Sequence, residues 1–277
     1  MPPIAAAVPP NHIMVPRSDS RLGDAQLEVL VQGTGPTVVM LPSLGRGATD
    51  FDAIADRIVE AGFRVLRPQP RGIGKSTGPW QGVKLEDLAA DIAAVIEQDN
   101  NGPAFVVGHA FGNRVARMLA TARPELVRAV SLVAANVGHN PSPPNVRAAI
   151  RLSADLSASD DERVKAMQFV FFAPGSDSRV WLTGWHPDVL AAQRIAGDLT
   201  SRQIDYAAGQ APILYIQPSH DPLAHVEDAE EYKNALGDRV TVVVVPNSAH
   251  AVVIEQPQAV ADALIAYARK LWPVASK

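Results

Sequence analysis

The chain has 277 residues, 47% hydrophobic and 19% charged, with a formal net charge of −4. That length can bury a core of α/β size, and the near-balanced charge offers no electrostatic footprint for nucleic acid or an anionic membrane surface. There are no cysteines, which excludes disulfides, thiolate metal sites and a thiol nucleophile, and fits a cytoplasmic location.

Residues 1–24 read as an irregular N-terminal arm. The apolar stretch at 4–8 is short, lacks a preceding basic region and is bracketed by prolines, unlike a signal peptide. No run approaches the roughly 18 apolar residues of a membrane span. Beyond the arm, strands are expected at 27–31, Thr37–Leu41, 64–67, 104–107, 129–133, 213–216 and Val240–Val245. Several of these runs are apolar without interruption, as in strands covered on both faces of a parallel sheet. Helical spacings separate them: Phe51, Ile54 and Ile58; Leu85, Leu88, Ile92, Val95 and Ile96; and later Val260, Leu264, Tyr267 and Leu271. Strand and helix in alternation predict a wound α/β fold.

Residues 139–209 break this rhythm. A proline-rich lead-in at 140–144 precedes helical patterns at 148–156 and 162–172, a loop with Trp181 and Trp185, and another helical piece from Asp188. This segment reads as a helical cap inserted into a core made of 25–138 and 210–277. It would lie over the carboxyl ends of the strands, and the two tryptophans either line a pocket beneath it or pack it down.

The chemistry-bearing residues lie in the turns after strands. Val106-Val107-Gly108-His109-Ala110-Phe111-Gly112 runs from a strand through a tight turn into a helix carrying Val115, Met118 and Leu119. Asp221 follows the strand at 213–216, within Pro218-Ser219-His220-Asp221-Pro222. His250 ends Val245-Pro246-Asn247-Ser248-Ala249-His250, ahead of a helix expected to include Glu255-Gln256-Pro257. In that order these segments resemble the α/β-hydrolase family, whose Gly-x-nucleophile-x-Gly elbow is followed by an acid and then a histidine. Arg71-Gly72-Ile73-Gly74-Lys75-Ser76 resembles a further loop of the family, and the likeness covers roughly residues 25–272.

The resemblance implies a mostly parallel eight-stranded sheet with helices on both faces. It also implies that His250 is the base, Asp221 its orienting acid, and the amides of Leu44 and Phe111 the oxyanion hole. Two departures stand out. Ala110 occupies the nucleophile position, and Pro42-Ser43 replaces the His-Gly pair common after the corresponding early strand. Ala110 fits a serine replaced to disable an enzyme, a natural member using a His250/Asp221 dyad, or a protein that only binds. Ser43 is a candidate hydrogen-bond donor to the site or an ordinary turn serine, and His109 a candidate pocket residue or a packed elbow residue.

The expected partner is a small, largely apolar carbonyl compound, such as an ester, lactone or diketone. Non-catalytic ligand binding and cofactor-independent lyase or oxygenase chemistry are the alternatives. No metal or organic cofactor is expected: His220, Asp221 and His225 match no familiar ligand spacing. Gly45-Arg46-Gly47 and Gly72-Ile73-Gly74 match no nucleotide-binding motif. Oligomeric state is left open.

Overall fold

A computed structural model describes residues 9–137 and 142–273. The apolar stretch at 4–8, His139 and the start of the proline-rich lead-in lie outside the described residues.

The strands are β1 (Asn11–Arg17), β2 (Ala25–Gln32), β3 (Thr37–Leu41), β4 (Arg64–Pro68), β5 (Ala104–His109), β6 (Val127–Val133), β7 (Ile213–Pro218) and β8 (Val240–Val245). They form one sheet in the order β1-β2-β4-β3-β5-β6-β7-β8. β1 and β4 pair antiparallel with β2, and every later pairing is parallel. The seven expected strands are therefore present. The eighth, β1, corrects the reading of residues 1–24 as irregular throughout.

The helices are α1 (Asp52–Glu60), α2 (Leu85–Asp99), α3 (Phe111–Ala122), α4 (Pro144–Ala154), α5 (Asp160–Val170), α6 (Pro187–Asp198), α7 (Arg202–Asp205), α8 (Val226–Leu236), α9 (Val252–Glu255) and α10 (Pro257–Leu271). Alternation along the strands builds two cores. Val39, Leu41 and Val106 pack with residues of α2, α3 and α8, whereas Val38, Met40, Phe105 and Val107 pack with α1, α9 and α10. A period of two sends neighbouring side chains to opposite faces, so a strand covered on both sides must be apolar throughout. The helix expected across Glu255-Gln256-Pro257 is instead broken at Gln256 (φ −134°, ψ 54°), and Pro257 opens α10. Proline disfavours the helical conformation at the residue before it and is well suited to the first helical turn.

Between β6 and β7 the described residues contain helices and no strand. The segment has a third apolar core, in which Val146, Met167, Val170, Phe171, Trp181 and Trp185 pack on Leu223 and Ala251 of the strand-end loops. Arg46 fastens it to the sheet. Its guanidinium makes two hydrogen bonds to Asp50, at 2.9 and 2.6 Å, and one to the Thr183 carbonyl at 2.6 Å. It also stacks within 4.6 Å of the Trp181 ring centre and 5.0 Å of Trp185.

Candidate active site

The turn from β5 into α3 is tight because two backbones nearly touch. A Cβ on Gly108 would lie 2.4 Å from Gly112 backbone atoms, and one on Gly112 would lie 2.4 Å from the Leu41 carbonyl oxygen. Only glycine fits either place. Between them Ala110 adopts φ 48°, ψ −111°, a region costly for a residue with a side chain, and its amide donates to the Val133 carbonyl at 2.9 Å. Phe111 is the first residue of α3, so its N–H has no acceptor within the helix and sits at the positive end of the helix dipole.

Asp221 and His250, 29 residues apart, come together because β7 and β8 are adjacent parallel strands whose ends feed both loops. Backbone bonds between the loops, from Ser219 N to Val245 O and from His220 N to Ser248 O, fix their register. His250 Nδ1 lies 2.9 Å from Asp221 Oδ2, and both side chains are buried. The second carboxylate oxygen, Oδ1, accepts from the Leu223 and Ala224 amides at 2.8 and 3.1 Å. A carboxylate can only accept, so Nδ1 carries the hydrogen and Nε2 is left as the basic nitrogen.

His109 does not line the cleft. It is wholly buried beneath His250, whose backbone carbonyl lies 2.7 Å from His109 Nε2. The carbonyl accepts, so His109 Nε2 donates. Burial pulls the His109 pKa down to about 3, with the nearby charges of His250 and Arg46 adding to the effect, and the ring is therefore neutral at ordinary pH.

Ala110, His250, Ser43, Leu44 and Phe111 line one cleft that opens to solvent. Trp185 lines it too. Trp181 is buried in the inserted segment, and its carbonyl accepts from Trp185 Nε1 at 2.7 Å. The two tryptophans thus divide the alternatives between them. Phe171 covers His250, their ring centres 5.8 Å apart.

Other contributors come from the insertion or tie it to the core. Gln193 Oε1 accepts from the Gly45 amide at 2.7 Å, positioning the loop that bears Ser43 and Leu44. Glu255 accepts from the amides of Ala173 and Ala249, joining the inserted segment to the His250 loop. Arg194 and Arg202 line the cleft as well. The helical spacing of Gln193, Arg194, Gly197 and Asp198 was the signal available for these, although it does not reveal what the face meets. Arg71 is an ion-pair residue, bonded to Asp91 at 2.7 and 2.8 Å. Among the described residues no group of three metal-ligating side chains converges; His220 Nδ1 instead lies 2.8 Å from Ser219 Oγ.

A doubly covered parallel sheet, a glycine-flanked elbow and an acid–histidine pair on the next strand ends define a class. The chain belongs to the alpha/beta hydrolase fold family, whose sequence model matches residues 36–257. Over 127 residues it is 31% identical to 2-(acetamidomethylene)succinate hydrolase of Mesorhizobium japonicum, a match covering 46% of this chain and 45% of that one. The chain thus spans less than half the length of that curated relative. Among solved structures, Rv0554 of Mycobacterium tuberculosis superposes with a TM-score of 0.78 at 22% identity, over 93% of this chain and 99% of that one. The esterase EaEST of Exiguobacterium antarcticum does so with a TM-score of 0.76 at 19% identity, over 93% and 100%. Among the described residues no helix is long and apolar enough to cross a membrane.

Proposed function

We propose that this chain is an α/β-hydrolase-family enzyme acting on a small, largely apolar carbonyl compound, such as an ester, lactone or diketone, with His250 as general base and Asp221 as its orienting acid. The observation that carries the reading is the buried 2.9 Å His250–Asp221 hydrogen bond at the edge of the cleft that Ala110 also lines. Nε2 takes a proton from water or from the substrate, and the Asp221 carboxylate stabilises the imidazolium that forms. Neutral His109 suits this role. It holds the His250 backbone without placing a second positive charge beside the ring as it protonates.

Oxygen charge developing on the substrate carbonyl would be met by the amides of Phe111 and Leu44, with Ser43 as a further donor at the same wall. Ala110 has no hydroxyl, so no acyl-enzyme forms on it; the base acts directly. The inserted helices serve as the cap that shapes the pocket. Relatives bearing hydrolase and esterase names support carbonyl chemistry as the class.

Parallel assays of esters, lactones and diketones test the reading, with binding followed alongside turnover. Turnover that disappears in His250→Ala is the expected result, and turnover indifferent to that change would remove the base. A second reading, ligand binding without chemistry, is favoured by the missing hydroxyl; saturable binding with no turnover of any class would select it.

A further inference from the structure

The rim of the cleft differs from its floor. Arg114, Arg194 and Arg202 all line it, and Asp198 is the one acidic lining residue among those described. Arg114 is already held: its Nη1 donates to the Gly197 carbonyl at 2.9 Å and its Nη2 to Asp205 at 3.2 Å. Asp205 is shared, since Arg117 approaches the same buried carboxylate at 3.2 Å. One carboxylate therefore answers two guanidiniums.

Arg194 projects from α6 and is half-buried, with no hydrogen-bond or salt-bridge partner among the described residues. The charges it faces across α4 are Arg151 and Arg147; Asp198, one turn further along its own helix, is the opposing acid. Burial and Arg151 both disfavour its charge, yet guanidinium stays protonated through the ordinary pH range. Arg202, also at the cleft, faces Arg114 and Arg117, with Asp205 and Asp198 in opposition. The rim thus holds more positive than negative charge, with a half-buried planar fork lacking the acceptor that such a group pairs with best.

We propose that the cleft takes carbonyl substrates that also carry a carboxylate, which pairs with Arg194 at the rim while the reacting carbonyl lies on the floor beside His250. This rests on the reading of the cleft as a substrate site. It narrows the substrate from any largely apolar carbonyl compound to one with an apolar body and an anionic end, matching the aromatic side chains of Phe171 and Trp185 and the cationic ones that line the same cleft.

Benzyl hydrogen succinate carries a free carboxylate where benzyl methyl succinate, its neutral counterpart, carries a methyl ester, and calorimetric titration of each into the full chain tests the proposal. The monoanion is expected to bind at least tenfold more tightly in 50 mM salt. That preference should shrink as salt is raised, fall below threefold in Arg194→Gln and survive in part in Arg194→Lys. Should the neutral diester bind as well as the monoanion, the anionic subsite is wrong while the substrate cleft stands. Binding of neither compound would overturn the cleft reading and the subsite with it. The comparison of the two ligands on the unmodified chain decides the matter even if a substitution disturbs folding.

Discussion

Replacing His109 with glutamine removes a buried titratable ring while keeping a donor for the His250 carbonyl. His109 is fully buried, and its pKa falls from 6.5 to about 3 on folding. Below pH 6.5 the unfolded imidazole takes up a proton that the folded one refuses. Its contribution to stability is therefore complete above pH 6.5 and is lost progressively as pH falls towards 3. Between pH 7 and pH 5 the loss from this one group works out at about 2 kcal/mol. Urea unfolding of the parent and of His109→Gln at both pH values isolates it, because all other titrations cancel in the difference. The parent should lose about 2 kcal/mol more than the variant over this interval, whatever the variant's stability at pH 7. Equal losses would refute the neutral buried histidine and, with it, the argument that the base has no cationic neighbour beneath it.

Three further outcomes follow from the packing and the site. Arg46→Met leaves Asp50 buried without its ion-pair partner and should cost about 3 kcal/mol in urea unfolding; adding Asp50→Leu should recover part of that cost. Gly112→Ala drives a Cβ to 2.4 Å from the Leu41 carbonyl oxygen and should destabilise by about 3 kcal/mol in urea unfolding or abolish soluble expression. Asp221→Asn lets the amide donate to Nδ1 and so favours the wrong histidine tautomer. Turnover should fall roughly 10²–10⁴-fold with folding intact, measured as kcat on whichever substrate the parent accepts.

The parts of the fold that could be read from the chain are those with one environment along their length. The strands at the centre of the sheet are covered on both faces, so Val38 to Leu41 and Phe105 to Val107 are continuous apolar runs. β1 is an edge strand with Val15 its one fully buried residue and a proline beside it, a pattern that looks like irregular chain. α8 escaped notice for a similar reason, burying little beyond Ala229 and Tyr232. In the site, Asp221 and His250 were legible because strand ends and chain order fix them. Arg46, Gln193 and Arg194 were not, because their significance arises from how the inserted helices dock on the sheet, and no local pattern encodes that. Trp181 and Trp185 show the same limit: they lie four residues apart, yet one fills a core and the other lines the cleft.

The central claim is that the elbow, the base and the oxyanion donors stand in a working arrangement around Ala110. Ala110→Ser places a hydroxyl at the elbow without altering the backbone. Incubating that variant with an organophosphonate ester and weighing the intact protein tests the arrangement directly. The account predicts a single covalent adduct on Ser at position 110, absent from the parent and from the Ala110→Ser/His250→Ala double variant. A folded Ala110→Ser protein that forms no adduct, or one whose labelling persists without His250, would contradict it.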